Sequence, residues 1–191
     1  MLKVDPSCRS LAMRYCILLL VAMWLPIFAS INAAYLCAQT VPAAVAQEPV
    51  FRDPFTLKLG IDEKHYYEQH FDKIPYVIDG SVYLFKGESF GINVVIDGDR
   101  ITGIQYQPDA AKSDLSFRFT QEKSASGLMM LLTTQNKMKR KIFFNALMTV
   151  PRKEGVFKTS VLPIDAGLSN YESWPHPIVQ LVLQDFRLSE K

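Results

Sequence analysis

Two stretches place an Asp-Gly pair between short apolar runs: YVIDGSVYLF, residues 76–85, and GINVVIDGDRITGIQY, residues 91–106. Asp-Gly between apolar runs is a strong hairpin signal, because both central residues of the tight turn take positive φ. The surrounding chain repeats the theme. FTLKLGI, residues 55–61, alternates apolar and other residues with the strand period. Leu115, Phe117 and Phe119 alternate in the same way, and residues 128–134, 142–150 and 156–162 add three further apolar runs separated by polar turns. Seven or eight strands at this spacing predict an all-β chain. The architecture expected is an antiparallel β-sandwich of immunoglobulin-like type, with a small closed β-barrel as the second reading. The distinction matters for function, because a barrel can enclose a ligand.

Two segments depart from the plain strand pattern. DEKHYYEQHFDK, residues 62–73, has Asp62 as an N-cap, Glu63 in the first turn, and Lys73 with Pro75 at the far end. Ile61 and Tyr66 stand at the two positions of a hydrophobic staple. These features predict one short helix inserted after the first strand. In residues 178–188, Val179, Leu181 and Leu183 line one strand face, and Ile178, Val182, Phe186 and Leu188 line the other. That suits a central strand buried on both faces. Gln180, Gln184 and Arg187 also form a stripe at helical spacing, with Pro177 as a possible first helical residue. The β-branched start and the β-rich context favour the strand.

The first 46 residues read differently. Lys3, Arg9 and Arg14 precede the apolar run 15–29, and Ala44-Val45-Ala46 follows. A positive start, a short apolar stretch and an A-x-A end form the pattern of a secretory signal peptide, with Gln47 as the first residue after cleavage. Met13 is an alternative start. The second reading is an uncleaved anchor: residues 15–36 are long enough to span a bilayer, although Pro26, Ser30 and Asn32 interrupt them. Either reading places the remainder outside the cytoplasm, in the periplasm or secreted. Cys37 follows Ala34, Tyr35 and Leu36, and a Leu directly before the cysteine departs from the bacterial lipid-attachment box. The organisation expected is a leader over 1–46, a linker over 47–54 and one β-sandwich domain over 55–191.

All three cysteines, Cys8, Cys16 and Cys37, lie in that leader. The rest has no means for disulfides, thiol catalysis or cysteine metal sites. Setting aside Lys3, Arg9, Arg14 and Asp5 leaves 18 basic and 18 acidic residues, so nothing in the net charge points to nucleic acid.

Four motifs carry possible chemistry. GESFG, residues 87–91, matches G-x-S-x-G and is similar to the nucleophile elbow of α/β-hydrolases. Ser89, Asp165 and His176 also follow that family's chain order. The elbow requires a helix after the serine, whereas INVVIDGDRIT is β-patterned, so the hydrolase using Ser89 and His176 is the alternative function. His65, His70 and His176 could bind zinc, yet on a helix His65 and His70 would point about 140° apart. Glu68 lies three residues after His65. No metal and no cofactor are expected. The basic turn NKMKRK, residues 136–141, reads as a solvated hairpin tip, and its alternative is contact with anionic lipid or an acidic partner if Arg152 and Lys153 lie beside it.

The fourth motif is YESWPHP, residues 171–177. Pro175 and Pro177 hold Trp174 and His176 extended, so the segment reads as a stiff loop. Trp174 either plugs one end of the core or is presented as an interface anchor. Tyr171, Glu172, Trp174 and His176 are therefore the candidate binding residues. The function expected is an exported, non-enzymatic binding or assembly module whose partner is another envelope protein. A barrel carrying a small apolar ligand is a further alternative.

Overall fold

The computed structural model describes residues 48–125 and 127–190, all within one unit spanning Thr40–Lys191. The leader, its cleavage point and the three cysteines lie outside the described residues. Among the described residues no helix is long and apolar enough to cross a membrane.

The chain is all-β. In order it forms β1 (Phe55–Gly60), β2 (Tyr66–Phe71), β3 (Val77–Ile78), β4 (Ser81–Leu84), β5 (Glu88–Asp97) and β6 (Arg100–Gln107). After one 3-10 turn, Ala110–Lys112, come β7 (Leu115–Ser124), β8 (Gly127–Asn136), β9 (Ile142–Thr149), β10 (Phe157–Thr159), β11 (Ser169–Trp174) and β12 (Gln180–Leu188). The strands form a two-stranded sheet, β1-β2, and two five-stranded sheets, β10-β9-β12-β4-β3 and β11-β8-β7-β5-β6. All the pairings are antiparallel. No sheet closes on itself, which sets aside the closed barrel.

Both five-stranded sheets feed one core. Leu115, Phe117 and Phe119 of β7 and Met130 and Leu132 of β8 are buried from one sheet. Val82 and Leu84, Ile142, Phe144 and Ala146, and Leu181 and Leu183 are buried from the other. Each is the inward-facing half of an alternating strand, and each large side chain removed from water contributes roughly 1.5–3 kcal/mol.

The hairpin turns largely follow their residues. Asp79 and Gly80 have φ of 48° and 70° and join Ile78 directly to its partner Ser81, as a two-residue turn with both central φ positive requires. At the second Asp-Gly the turn is displaced by one residue. Asp97 pairs with Arg100, so Gly98, at φ 59°, is the first central residue, and Asp97 belongs to the strand.

The expected helix over 62–73 is instead the hairpin β1-β2. Asp62 Oδ1 accepts from the amides of Lys64 at 2.7 Å and His65 at 2.8 Å, and Ile61 N donates to His65 O at 2.8 Å. An N-capping side chain offers the same oxygen to the same two amides, so capping chemistry and an Asx turn look alike in sequence. The Lys64 amide first, then the His65 side chain, lower the Asp62 carboxyl to about 2. Beyond the turn the chain returns as a strand, in which Tyr67 and Phe71 share a face as they would on a helix. Phe71 stacks on Phe55 at 5.4 Å and meets Phe85 at 5.0 Å. The hairpin docks on β7 through Gln121, which donates to Gly60 O and accepts from Gly60 N, both at 2.8 Å.

β12 is the strand expected, central between β9 and β4. It is not buried on both faces. A bulge between Gln184 and Arg187, with Asp185 at φ 57°, shifts the register by one. Leu181 and Leu183 face the core before it. The shift reverses parity, so Leu188, also buried, faces the same way after it.

The stretch expected as a linker, 47–54, is docked by Arg52, which is 5% exposed. Its guanidinium bonds both carboxylate oxygens of Glu88, one of them at 2.8 Å, and donates to Pro75 O at 2.6 Å and to Tyr83 O. It also lies 3.9 Å from the centre of the Tyr76 ring. Tyr76 in turn stacks on Tyr106 at 4.3 Å. Burial, and after it the neighbouring Tyr76, push the Tyr106 phenol up to about 12.

Candidate functional site

Ser89 does not sit at an elbow. It is the second residue of β5, pairs with Arg118 in β7, and is exposed. What the GESFG motif does is structural. Gly87 takes φ 92° ahead of the strand, Glu88 holds Arg52, and Phe90 enters the core. A Cβ at Gly91 would lie 2.2 Å from the Ser113 side chain and 2.6 Å from Leu115 O, so two chain segments approach too closely for any other residue.

Nor does Asp165 join His176. Asp165 pairs with Lys141 at 2.8 Å, just before β9 begins. His176 lines a cleft with Met148 and Val150, where β9 ends. The eight residues of β9 separate these ends, a distance of about 23 Å at strand rise.

The same geometry settles the basic turn. NKMKRK joins β8 to β9, whereas Arg152 and Lys153 follow β9, so the two groups stand at opposite ends of that strand. Most of the turn's charge is already engaged. Lys137 donates to Ala110 O and Ala111 O, Arg140 pairs with Asp99 at 2.9 Å, and Lys141 pairs with Asp165. The turn is pinned from beneath by the fully buried Asn136. Its Nδ2 donates to Arg140 O at 2.8 Å and to Ile164 O at 3.1 Å, and its Oδ1 accepts from Met138 N at 3.0 Å.

His65 and His70 lie in the β1-β2 hairpin, not on a helix. His65 Nδ1 meets Asp62 Oδ2 at 2.8 Å, and His70 Nδ1 lies 3.3 Å from Thr56 Oγ1. Among the described residues no group of three potential ligands could hold a metal ion.

The YESWPHP segment divides. Tyr171, Glu172 and Trp174 belong to edge strand β11 and not to a loop. Trp174 faces inward: it is 7% exposed, meets Phe119 edge to face at 6.4 Å, and donates from Nε1 to Thr159 Oγ1 at 2.7 Å. It plugs the core and ties β11 to β10. Glu172 is half-buried, and its Oε1 accepts from Leu162 N at 2.7 Å and Asn170 Nδ2 at 2.8 Å. Tyr171, 66% exposed, faces solvent together with Ser169 and Ser173, and is the large side chain on that face. Only Pro175 to Val179 forms the connection to β12, and His176 Nδ1 lies 3.3 Å from Pro177 O.

Two surface features go beyond the sequence reading, which names only Tyr171 in the first and His176, Arg152 and Lys153 in the second as candidate contacts. Val156, Phe157, Leu162, Leu168 and Tyr171 are all exposed and all fall where the chain passes from one sheet edge, β10, to the other, β11. The second is the cleft holding His176, about 490 Å³, lined by Ile61, Met148, Val150, Phe157 and Pro177 together with Arg152, Lys153 and Lys158. Its parts come from the β1-β2 turn, the β9-β10 turn and the β11-β12 connection, so no local pattern announces it. Comparison of the chain with protein-family models, with curated proteins and with solved structures finds no match.

Proposed function

We propose that this chain is an exported, non-enzymatic binding or assembly module of the bacterial cell envelope, acting in the periplasm or outside the cell. Residues 1–46 serve as its signal peptide. The two five-stranded sheets are the layers of an immunoglobulin-like sandwich, a reading supported by their antiparallel pairing and shared core. The partner is another envelope protein, which lays an extended segment along β11.

The observation that carries this reading is the set of exposed apolar side chains on and beside β11, Leu162, Leu168 and Tyr171, at a strand that among the described residues pairs on one side only. An open edge offers backbone donors and acceptors to an incoming strand, and alternate side chains such as Tyr171 supply the specificity. Glu172 is engaged with Leu162 and Asn170, and Trp174 with Thr159, so Tyr171 is the side chain left for a partner.

A photo-crosslinking amino acid at position 171, introduced in the protein's own cells, should yield one discrete heavier species. The same group at position 89 should not. A Leu168→Asp substitution should abolish the adduct while the domain stays folded. No adduct at 171, or equal smearing at both positions, would overturn the assignment. N-terminal sequencing of the accumulated chain should begin at Gln47 if the leader is cleaved as proposed.

A further inference from the structure

The cleft beside His176 carries the one left-handed residue among those described that is neither glycine nor aspartate. Among the described residues, left-handed backbone occurs at six glycines, at Asp79 and Asp185, and at Arg152. Glycine takes this conformation freely, and aspartate is the kind of residue that tolerates it. Arginine is neither. Its place in the chain explains the conformation: Val150-Pro151-Arg152-Lys153 is a tight turn closed by Lys153 N to Val150 O at 3.4 Å, with φ 61° at Arg152. Proline at the second position and positive φ at the third define a type II turn, whose third residue is ordinarily glycine. The same loop places a glycine at its other left-handed position, Gly155, at φ 96°. Position 152 therefore carries a strained arginine where a glycine would relieve the strain, and strain of this kind gathers at binding sites.

Arg152 has company. Lys153 and Lys158 are also exposed on the cleft, and among the described residues none of these three side chains makes an ion pair or hydrogen bond. His176 adds a ring that can donate. Among the described residues no carboxylate lines this cleft; Glu154, in the same loop, lines an adjoining hollow that shares Arg152 and Lys153 with it. Ile61, Met148 and Val150, all half-buried, line the same cleft. The volume of about 490 Å³ suits a small molecule.

We infer that this cleft binds a single-chain amphipathic anion, an acyl carboxylate being the simplest member, with its head group on Arg152 and its chain against Met148 and Val150. The unpartnered cations supply charge complementarity, and a planar guanidinium pairs with a carboxylate through two parallel hydrogen bonds. The half-buried apolar lining favours a free amphiphile over a bilayer surface, which would meet the exposed cations first. None of the residues lining the cleft belongs to β11, and the inference holds whether or not that edge takes a partner.

The test uses the protein in the form its cells accumulate, titrated calorimetrically with dodecanoate and with dodecyltrimethylammonium, both below micelle concentration. Dodecanoate should bind at least about tenfold tighter, since the two probes share a chain and differ in head-group charge. Arg152→Gly should weaken dodecanoate about tenfold or more while Tm holds or rises, because glycine relaxes the turn. Lys158→Gln should weaken it in the same direction. Equal affinity for the two amphiphiles, or unchanged dodecanoate binding by R152G, would overturn the proposal. So would sedimentation with phosphatidylglycerol vesicles in the absence of dodecanoate binding.

Discussion

Replacing Glu88 by alanine is the sharpest test of what the GESFG stretch does. The Glu88 carboxylate accepts two bonds from Arg52 and one from Phe85 N at 2.9 Å. The two side chains are 4% and 17% exposed, so water can do little to replace the lost partner. Removing one member of such a buried pair leaves an uncompensated charge and costs about 3–5 kcal/mol. At a urea m-value of about 2 kcal/mol/M this lowers the midpoint by about 1.5–2.5 M. Arg52→Met alone should be similarly damaging, since it frees the carboxylate and strips the Pro75 and Tyr83 carbonyls of their donor. In the double variant R52M/E88A the two losses should fall short of their sum by about 2 kcal/mol, the coupling expected of residues in one network. Ser89→Ala, one residue away on the exposed face, should stay within about 0.5 kcal/mol of the parent. An E88A loss below about 1 kcal/mol, or an S89A loss exceeding it, would refute the claim that this motif anchors the N-terminal stretch.

Three further outcomes follow from local geometry. Gly91→Ala should cost at least the upper part of the ~1–3 kcal/mol typical of overpacking, because the new Cβ meets the Ser113 side chain and the Leu115 carbonyl of a fixed strand; chemical denaturation reads it directly. Trp174→Ala should cost about 3–5 kcal/mol and flatten the near-ultraviolet circular dichroism, and a variant that keeps parental stability would show that Trp174 does not plug the core. Asp62, whose carboxyl is held at about 2 against an ordinary 3.8, contributes stability that is complete above about pH 5 and is lost progressively as pH falls through 2. The Tm advantage of the parent over Asp62→Asn should accordingly be constant above about pH 5 and mostly gone at about pH 2, and a gap that persisted unchanged at pH 2 would contradict this.

Where residues act on their immediate neighbours, the chain could be read directly. Leu115, Phe117 and Phe119 alternate because a strand alternates, and Asp79-Gly80 turns because both residues accept positive φ. The misread helix fails for a physical reason of the same local kind. An aspartate that captures the amides two and three residues ahead serves an N-cap and an Asx turn equally, and side chains four apart share a face on a helix and on a strand alike. Tyr66, Tyr67 and Phe71 were the contrary signal, since aromatic residues favour strands. The bulge in β12 hid behind the same ambiguity, because one inserted residue makes a two-sided pattern out of a one-sided strand. The sites were less legible because they are assembled from distant segments. His176 was singled out, but as the neighbour of Trp174 and the partner of Ser89; the fold turns Trp174 inward and gives His176 instead to Arg152, Lys153 and Lys158. Even so, one local clue emerges once the backbone is known. In VPRKEG a proline is followed by arginine, which a type I turn accepts as readily as any residue, and φ 61° at Arg152 reveals instead the type II turn that calls for glycine there. A residue that violates its own turn is local information about a non-local site, because only something outside the turn can compensate the strain. That is why Arg152, and not any of the residues chosen for their catalytic potential, is the position from which the chemistry of this surface is best explored.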